Sequence, residues 1–272
     1  MHEIEGKRLK SLSLFIGTGE CNAKCKHCAG VPLRKYAPQK DGDLDRALIY
    51  KTIKSCHQQG AKSLSLSSSG EPTLSPLSVT KVLKLIKGCK SEGIEFNSIH
   101  LYSNGILIGE DEKFCKKYLP LWRKLGLTTI YITVHNIDEN KNAHLYGIKN
   151  YPSLKKVVSR IHEANLKARA NIVLSKKTVY SSEDFSKTVR YLKEINFDSI
   201  SAWPIRNLQD QVDRKLSPEK KTLKRMKSWI EREKLGNHTR ILFEKESRNL
   251  YKAGQKLTLF PNGTLSNTWC NN

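Results

Sequence analysis

Strand-like and helix-like stretches alternate six times in the same order along this chain, and few folds accept that rhythm. Leu12, Leu14 and Ile16 alternate with small or polar neighbours. A helix follows, with Asp43 as the expected cap and Leu44, Leu48, Thr52 and Cys56 on one face, ended by Gly60. Ser63-Leu64-Ser65-Leu66-Ser67 is a period-two strand, and Val79, Val82, Leu83 and Ile86 mark the next helix. Ile99 and Leu101, Thr129 to Val134, Ala170 to Leu174, and Ser199 to Trp203 give four more strands. Helical faces at Phe114–Leu125, Leu154–Ile161 and Phe185–Leu192 separate them, and a last helix is expected from Ser217-Pro218. Short β-like pieces at Ile241-Leu242-Phe243 and Leu257 to Phe260, then a turn at Pro261-Asn262-Gly263, complete the tail. Serial βα units demand a parallel sheet with helices outside it. The expected fold is α/β: an incomplete (β/α)6 TIM-like barrel with parallel strands and a short C-terminal extension. Its core runs over 1–205, and 206–272 forms an extension of the same domain that carries substrate specificity.

The chain has 272 residues, enough for one barrel-like unit. No apolar run reaches the eighteen or more residues of a membrane span, and Met1 to Lys7 lack the apolar centre of a secretory leader. Seven cysteines, irregularly spaced outside one triplet, argue against a disulfide framework and for the cytoplasm. The 48 Lys and Arg against 26 Asp and Glu leave a formal charge of +22. Such a field draws polyanions, nucleic acid above all. Lysines at solvent-facing helical spacing, such as Lys220, Lys221 and Lys224, equally serve a solvated surface.

Every polar cluster of note follows a strand, where a barrel places its chemistry. Cys21, Cys25 and Cys28 follow the first, Ser69-Gly70-Glu71-Pro72 the second, Ser103-Asn104-Gly105 the third, and His135-Asn136 the fourth. The C-x3-C-x2-C spacing supplies three thiolates. A four-iron cluster that only carries electrons takes four, so three leave one iron open to a ligand. A structural zinc site is the rival reading, but it usually shows two C-x2-C knuckles, and only one is present. A plain strand-ending turn is the rival reading for the later clusters.

On these residues the chain resembles the radical S-adenosylmethionine (radical SAM) enzymes. Cys21, Cys25 and Cys28 match that family's cluster motif, with His27 where the family usually has an aromatic residue. Ser69-Gly70-Glu71-Pro72 matches its Gly-Gly-Glu-Pro segment except at Ser69. The likeness covers about the first 205 residues. It implies a [4Fe–4S] cluster on the three cysteines and SAM on the open iron. It also implies that Glu71 and the backbone at Gly70 receive the SAM amino group, and that Ser103 and Asn104 meet the ribose. His27, Val173 and Trp203 would frame the adenine, with His135 and Asn136 close by. Cluster-driven cleavage of SAM would give a 5′-deoxyadenosyl radical that abstracts hydrogen from a substrate.

Cys56, Cys89 and Cys115 fall on helical faces and read as small packing residues. Cys270 is a candidate hydrogen donor to a substrate radical; a loose terminal cysteine is the plainer reading. The expected partners are a one-electron donor of flavodoxin or ferredoxin type and a substrate that is RNA, another anionic molecule, or a peptide or protein. A peptide or protein substrate would make this a glycyl-radical activase or an epimerase. A non-catalytic iron–sulfur or zinc protein that binds nucleic acid is the alternative of another class.

Overall fold

The structure is a computed structural model that describes residues 8–25, 27–28, 30–207, 211–241 and 255–267. Six parallel strands carry the core: β1 (Ser11–Phe15), β2 (Ser63–Ser67), β3 (Ser98–Ser103), β4 (Thr129–Val134), β5 (Lys167–Leu174) and β6 (Ser199–Pro204). β7 (Thr239–Ile241), β8 (Lys256–Leu259) and β9 (Leu265–Ser266) join the same sheet, in the order β7-β6-β5-β4-β3-β2-β1-β8-β9. β7 runs parallel to β6 and β8 parallel to β1, while β9 is antiparallel to β8.

Helices α1 (Arg46–Gln58), α2 (Pro76–Gly88), α3 (Ile106–Glu110), α4 (Glu112–Lys124), α5 (Glu139–Tyr146), α6 (Leu154–Glu163), α7 (Ser182–Glu194) and α8 (Lys220–Arg232) supply the crossovers. The longer ones lay one apolar stripe each on the sheet. Val79, Val82, Leu83 and Ile86 of α2 are buried, as are Leu154, Val157, Val158 and Ile161 of α6. They meet the outward strand positions Leu12, Leu14, Leu64, Leu66, Leu101, Ile130, Ile132 and Ile172 in one continuous core. Cys56, Cys89 and Cys115 are buried free thiols, as expected of packing residues.

The other face of the sheet is polar, because β1 and β2 read Ser-Leu-Ser-Leu. Serine hydroxyls on neighbouring strands bond across it: Ser13 to Ser65 at 2.7 Å and Ser98 to Ser63 at 3.1 Å. This face is concave. Arg240 on β7 and Lys256 on β8 are seven places apart in the sheet order, about 34 Å if the sheet were flat. Arg240 nevertheless acts electrostatically on Lys256. The sheet therefore curls into an incomplete barrel with a hydrophilic lumen.

Several boundaries differ from the sequence expectation. Asp45, not Asp43, caps α1, its carboxylate accepting from Leu48 N at 2.9 Å. α8 starts at Lys220 rather than at Ser217-Pro218. Two helices were not foreseen: α3, opened by Gly105, and α5, capped by Asp138. Both are short, and α5 has almost no apolar stripe, so periodicity does not reveal it. Among the described residues eight parallel strands run from β7 through β1 to β8, two more than the six expected. Leu242 and Phe243 of the expected tail strand lie outside the described residues, as does Cys270. Among the described residues no helix is long and apolar enough to cross a membrane.

Candidate active site

The three cysteines sit in the loop after β1, all half-buried and none paired. Backbone bonds fasten this loop on two sides. Glu71 N donates to Glu20 O at 2.7 Å, and Lys24 N donates to Tyr146 O at 2.7 Å. Two glycines allow the close approach. A Cβ on Gly70 would collide with the carbonyls of Gly19 and Glu20, and one on Gly30 with that of Ser69. The loop that holds the thiols and the loop after β2 therefore touch backbone to backbone.

Glu71 is the hub of this contact. It caps the 3-10 turn Pro72–Leu74, with Pro72 at the first position, where a missing N–H costs nothing. Its carboxylate is 2% exposed and accepts from Thr73 N, Thr73 Oγ1, Ser103 Oγ and Asn104 N at 2.7–3.1 Å. Burial pushes its carboxyl up from the usual range, while these four donors pull it down. Three of these donors share Oε1 and only Asn104 N reaches Oε2, so the carboxylate braces the strand ends while Oε2 keeps acceptor capacity.

Ser103 and Asn104 are likewise turned inward. Ser103 Oγ donates to Glu71 and accepts from Gly105 N at 3.0 Å. Asn104 Oδ1 accepts from Ile106 N at 2.9 Å, and its Nδ2 donates to Asn22 Oδ1 at 2.7 Å and, more weakly, to Cys21 Sγ at 3.9 Å. Ser103 thus ties β3 to the turn after β2, and Asn104 ties it to the cysteine loop. Asn22 belongs to the constellation, and the sequence gave no signal for it beyond its place beside Cys21.

The loop after β4 closes another side. The rings of His27 and His135 meet edge to face at 4.9 Å, His135 meets Tyr146 at 4.7 Å, and Tyr146 stacks on Tyr151 at 5.1 Å. His135 is 2% exposed. Burial, then the neighbouring His27, lower its pKa to about 3, so it is neutral. Asn142 Oδ1 on α5 accepts from both His135 N and Asn136 N, at 3.1 and 3.2 Å. Asn136 Oδ1 accepts from Asp138 N at 2.9 Å, which makes its side chain part of the turn. Val173 and Trp203 are register partners on β5 and β6, both half-buried.

The residues fit an iron–sulfur cluster with one open position. Burial raises the thiols of Cys21 and Cys25, the latter to about 12, with the other cysteines adding to the rise. Such thiols become thiolates only when iron compensates them. Among the described residues no three Cys, His, Asp or Glu side chains share a point where one ion would sit, as tetrahedral zinc requires. Thiolates on separate irons of a cube need no such point. Beside them Ser69 Oγ and His135 Nδ1 are buried without a partner, two polar atoms aimed at no protein group.

Comparison with known proteins agrees with this geometry. Curated relatives include the molybdenum cofactor biosynthesis protein moc-5 of Caenorhabditis elegans, 25% identical over 163 residues, which are 58% of this chain and 24% of that protein. The GTP 3′,8-cyclase of Mannheimia succiniciproducens is 24% identical over 181 residues, 65% of this chain and 48% of that one. This chain thus spans less than half the length of either. Among solved structures, Streptococcus suis SuiB bound to its precursor peptide SuiA superimposes with a TM-score of 0.67 at 17% identity, over 96% of this chain and 60% of that one. The structure of anSMEcpe with bound AdoMet does so with a TM-score of 0.59 at 16% identity, over 94% and 73%. At such identities the two structures attest the fold. The family model for the radical SAM superfamily matches residues 15–210, from the end of β1 past the end of β6. This chain therefore belongs to the radical SAM superfamily, whose enzymes use a [4Fe–4S] cluster and S-adenosylmethionine.

Proposed function

We propose that Cys21, Cys25 and Cys28 hold the cluster and that the chain cleaves SAM to act on an anionic substrate seated in the barrel lumen. When bound, the cluster and SAM supply a 5′-deoxyadenosyl radical that abstracts hydrogen from a substrate carbon. The protein's own residues do the rest. Ser69 and Gly70 present backbone to the methionine end of SAM, held in place from below by Glu71. Asn104 orients the Cys21 sulfur, and hydrogen bonds to cluster sulfurs are one lever on the potential. Val173 and Trp203, side by side at the C-terminal ends of β5 and β6, offer apolar surface for the adenine, with the neutral His27 and His135 rings opposite. The lumen below is where a substrate would be shielded from water.

One observation carries this reading: the loop bearing three thiols meets the loop bearing Gly70 and Glu71 backbone to backbone, at the C-terminal edge of a parallel barrel. The formal charge of +22 and the curated relatives named for GTP favour an anionic substrate. A one-electron donor of flavodoxin or ferredoxin type would reduce the cluster. Mössbauer spectra of anaerobically reconstituted protein test the reading. Addition of SAM should alter the signal of one iron in four and leave the other three. Spectra in which all four irons are equivalent with and without SAM would contradict it.

A further inference from the structure

We propose that Arg169 of β5 and Arg240 of β7, joined by Lys256 of β8, form a subsite in the barrel lumen for the terminal phosphate of a small-molecule substrate. Both arginines donate to one acceptor, the Ser201 hydroxyl on β6: Arg169 through Nη2, and Arg240 through Nε at 3.1 Å. Two guanidinium groups are thus held against each other. Arg169 is further fixed by Tyr131, whose hydroxyl accepts from Nη1 at 3.1 Å and whose ring lies 4.6 Å from the guanidinium carbon. Its Nε is buried and has no partner. Among the described residues no carboxylate lies within ion-pair distance of Arg169 or Arg240. Lys256 stands on the same polar face, in register with Ser11 of β1, and Arg240 and Arg169 act on its ammonium.

Gathering like charges in a partly desolvated lumen is unfavourable unless an anion completes the site. His100 lines it as well, bonded to Ser63 Oγ at 3.2 Å and stacked on Tyr131 at 4.6 Å, with a buried, unpartnered Nδ1. The two guanidinium charges alone exceed what one carboxylate neutralises. The planar forks of two arginines suit the several oxygens of a phosphate. The group must also enter the lumen. A terminal phosphate can do so alone, whereas an internal phosphodiester brings a nucleotide on each side. The subsite lies on the strand interiors, below the loops that hold the cysteines, so the far end of the same substrate would lie nearer the cluster. This assignment rests on the radical SAM reading above.

Calorimetric titration of the cluster-loaded full chain with pyrophosphate tests it. Arg240→Gln should weaken pyrophosphate binding at least about tenfold, and Lys220→Gln/Lys221→Gln/Lys224→Gln, on the exposed face of α8, should leave it unchanged. Absent binding, or binding lost only in the triple variant, overturns the subsite. So does succinate binding as tightly as pyrophosphate, or Arg240→Gln abolishing binding of a single-stranded RNA while sparing pyrophosphate. In unaltered protein, pyrophosphate should slow acylation of Lys256 as read by peptide mass spectrometry; equal rates overturn the subsite without recourse to any variant. Release of 5′-deoxyadenosine from the same preparations separates the two readings. Cleavage without phosphate binding removes the subsite alone, and phosphate binding without cleavage removes the radical reading alone.

Discussion

The Ser103 hydroxyl donates to Glu71 Oε1 at 2.8 Å, and through that bond the end of β3 is fastened to the turn that follows β2. Asn104 N donates to the other oxygen at 2.7 Å, so the carboxylate spans both strand ends. Glu71→Gln keeps the shape but sets an amide N–H against a donor. The expected cost is about 2–3 kcal/mol, read as a lower urea midpoint at unchanged slope. A midpoint equal to wild type would show that the brace carries no stability.

Gly70 faces carbonyl oxygens where a side chain would have to stand. Gly70→Ala should destabilise the chain by about 3 kcal/mol and lower the iron bound after reconstitution. Gly88→Ala is the control, since nothing lies within 4 Å of a Cβ there and the backbone is helical. That variant should hold or gain about 0.5–1 kcal/mol. Equal iron content in Gly70→Ala and wild type would refute the close-approach account.

His100 gives the lumen a pH signature. Burial, then Arg169, Arg240 and Lys256, lower its pKa from 6.5 to about 4. The groups facing it are Ser63, Tyr131 and those three cations. A folded-state pKa below the unfolded one means that the unfolded chain binds the extra proton between those values. Stability is therefore full above about pH 6.5 and falls as the pH drops toward and below 4, by about 3 kcal/mol from this group. His135 adds a loss of the same sign over a range reaching lower pH. In His100→Gln the fall in Tm between pH 6.5 and 4 should shrink by the His100 share. An unchanged pH profile would show that His100 is not held neutral by its surroundings.

Asn142 contributes through its amide oxygen, which accepts from two successive backbone N–H groups in the loop after β4. Asn142→Ala leaves both without their acceptor in a buried place. A loss of about 2–3 kcal/mol is expected, together with faster hydrogen exchange at His135 and Asn136. Unaltered exchange at those two amides would show that other groups hold the loop.

The fold was legible because serine and leucine alternate in β1 and β2 and because each of the longer helices carries a plain apolar stripe. The cysteine spacing and Gly70-Glu71-Pro72 likewise declared the family. What could not be read was the direction of polar side chains. In the fold Ser103, Asn104 and Glu71 bond to one another and to the cysteine loop, a network that one dimension does not show. The lumen cations were hidden for a different reason. Lys167, Arg169 and Asn171 alternate in β5 as an inward face does, but only curling of the sheet brings Arg240 and Lys256 from opposite ends to join Arg169. α5 was missed because Asn142 and Tyr146 are placed by contacts with the loop after β4 and not by any helical repeat.

The central claim is that three thiols hold a cluster able to break SAM. Anaerobically reconstituted protein, reduced with dithionite and given SAM, should release 5′-deoxyadenosine measurable by chromatography, and Cys25→Ala should release none while losing its iron and sulfide. No 5′-deoxyadenosine from fully loaded wild-type protein, or undiminished release from Cys25→Ala, would contradict it.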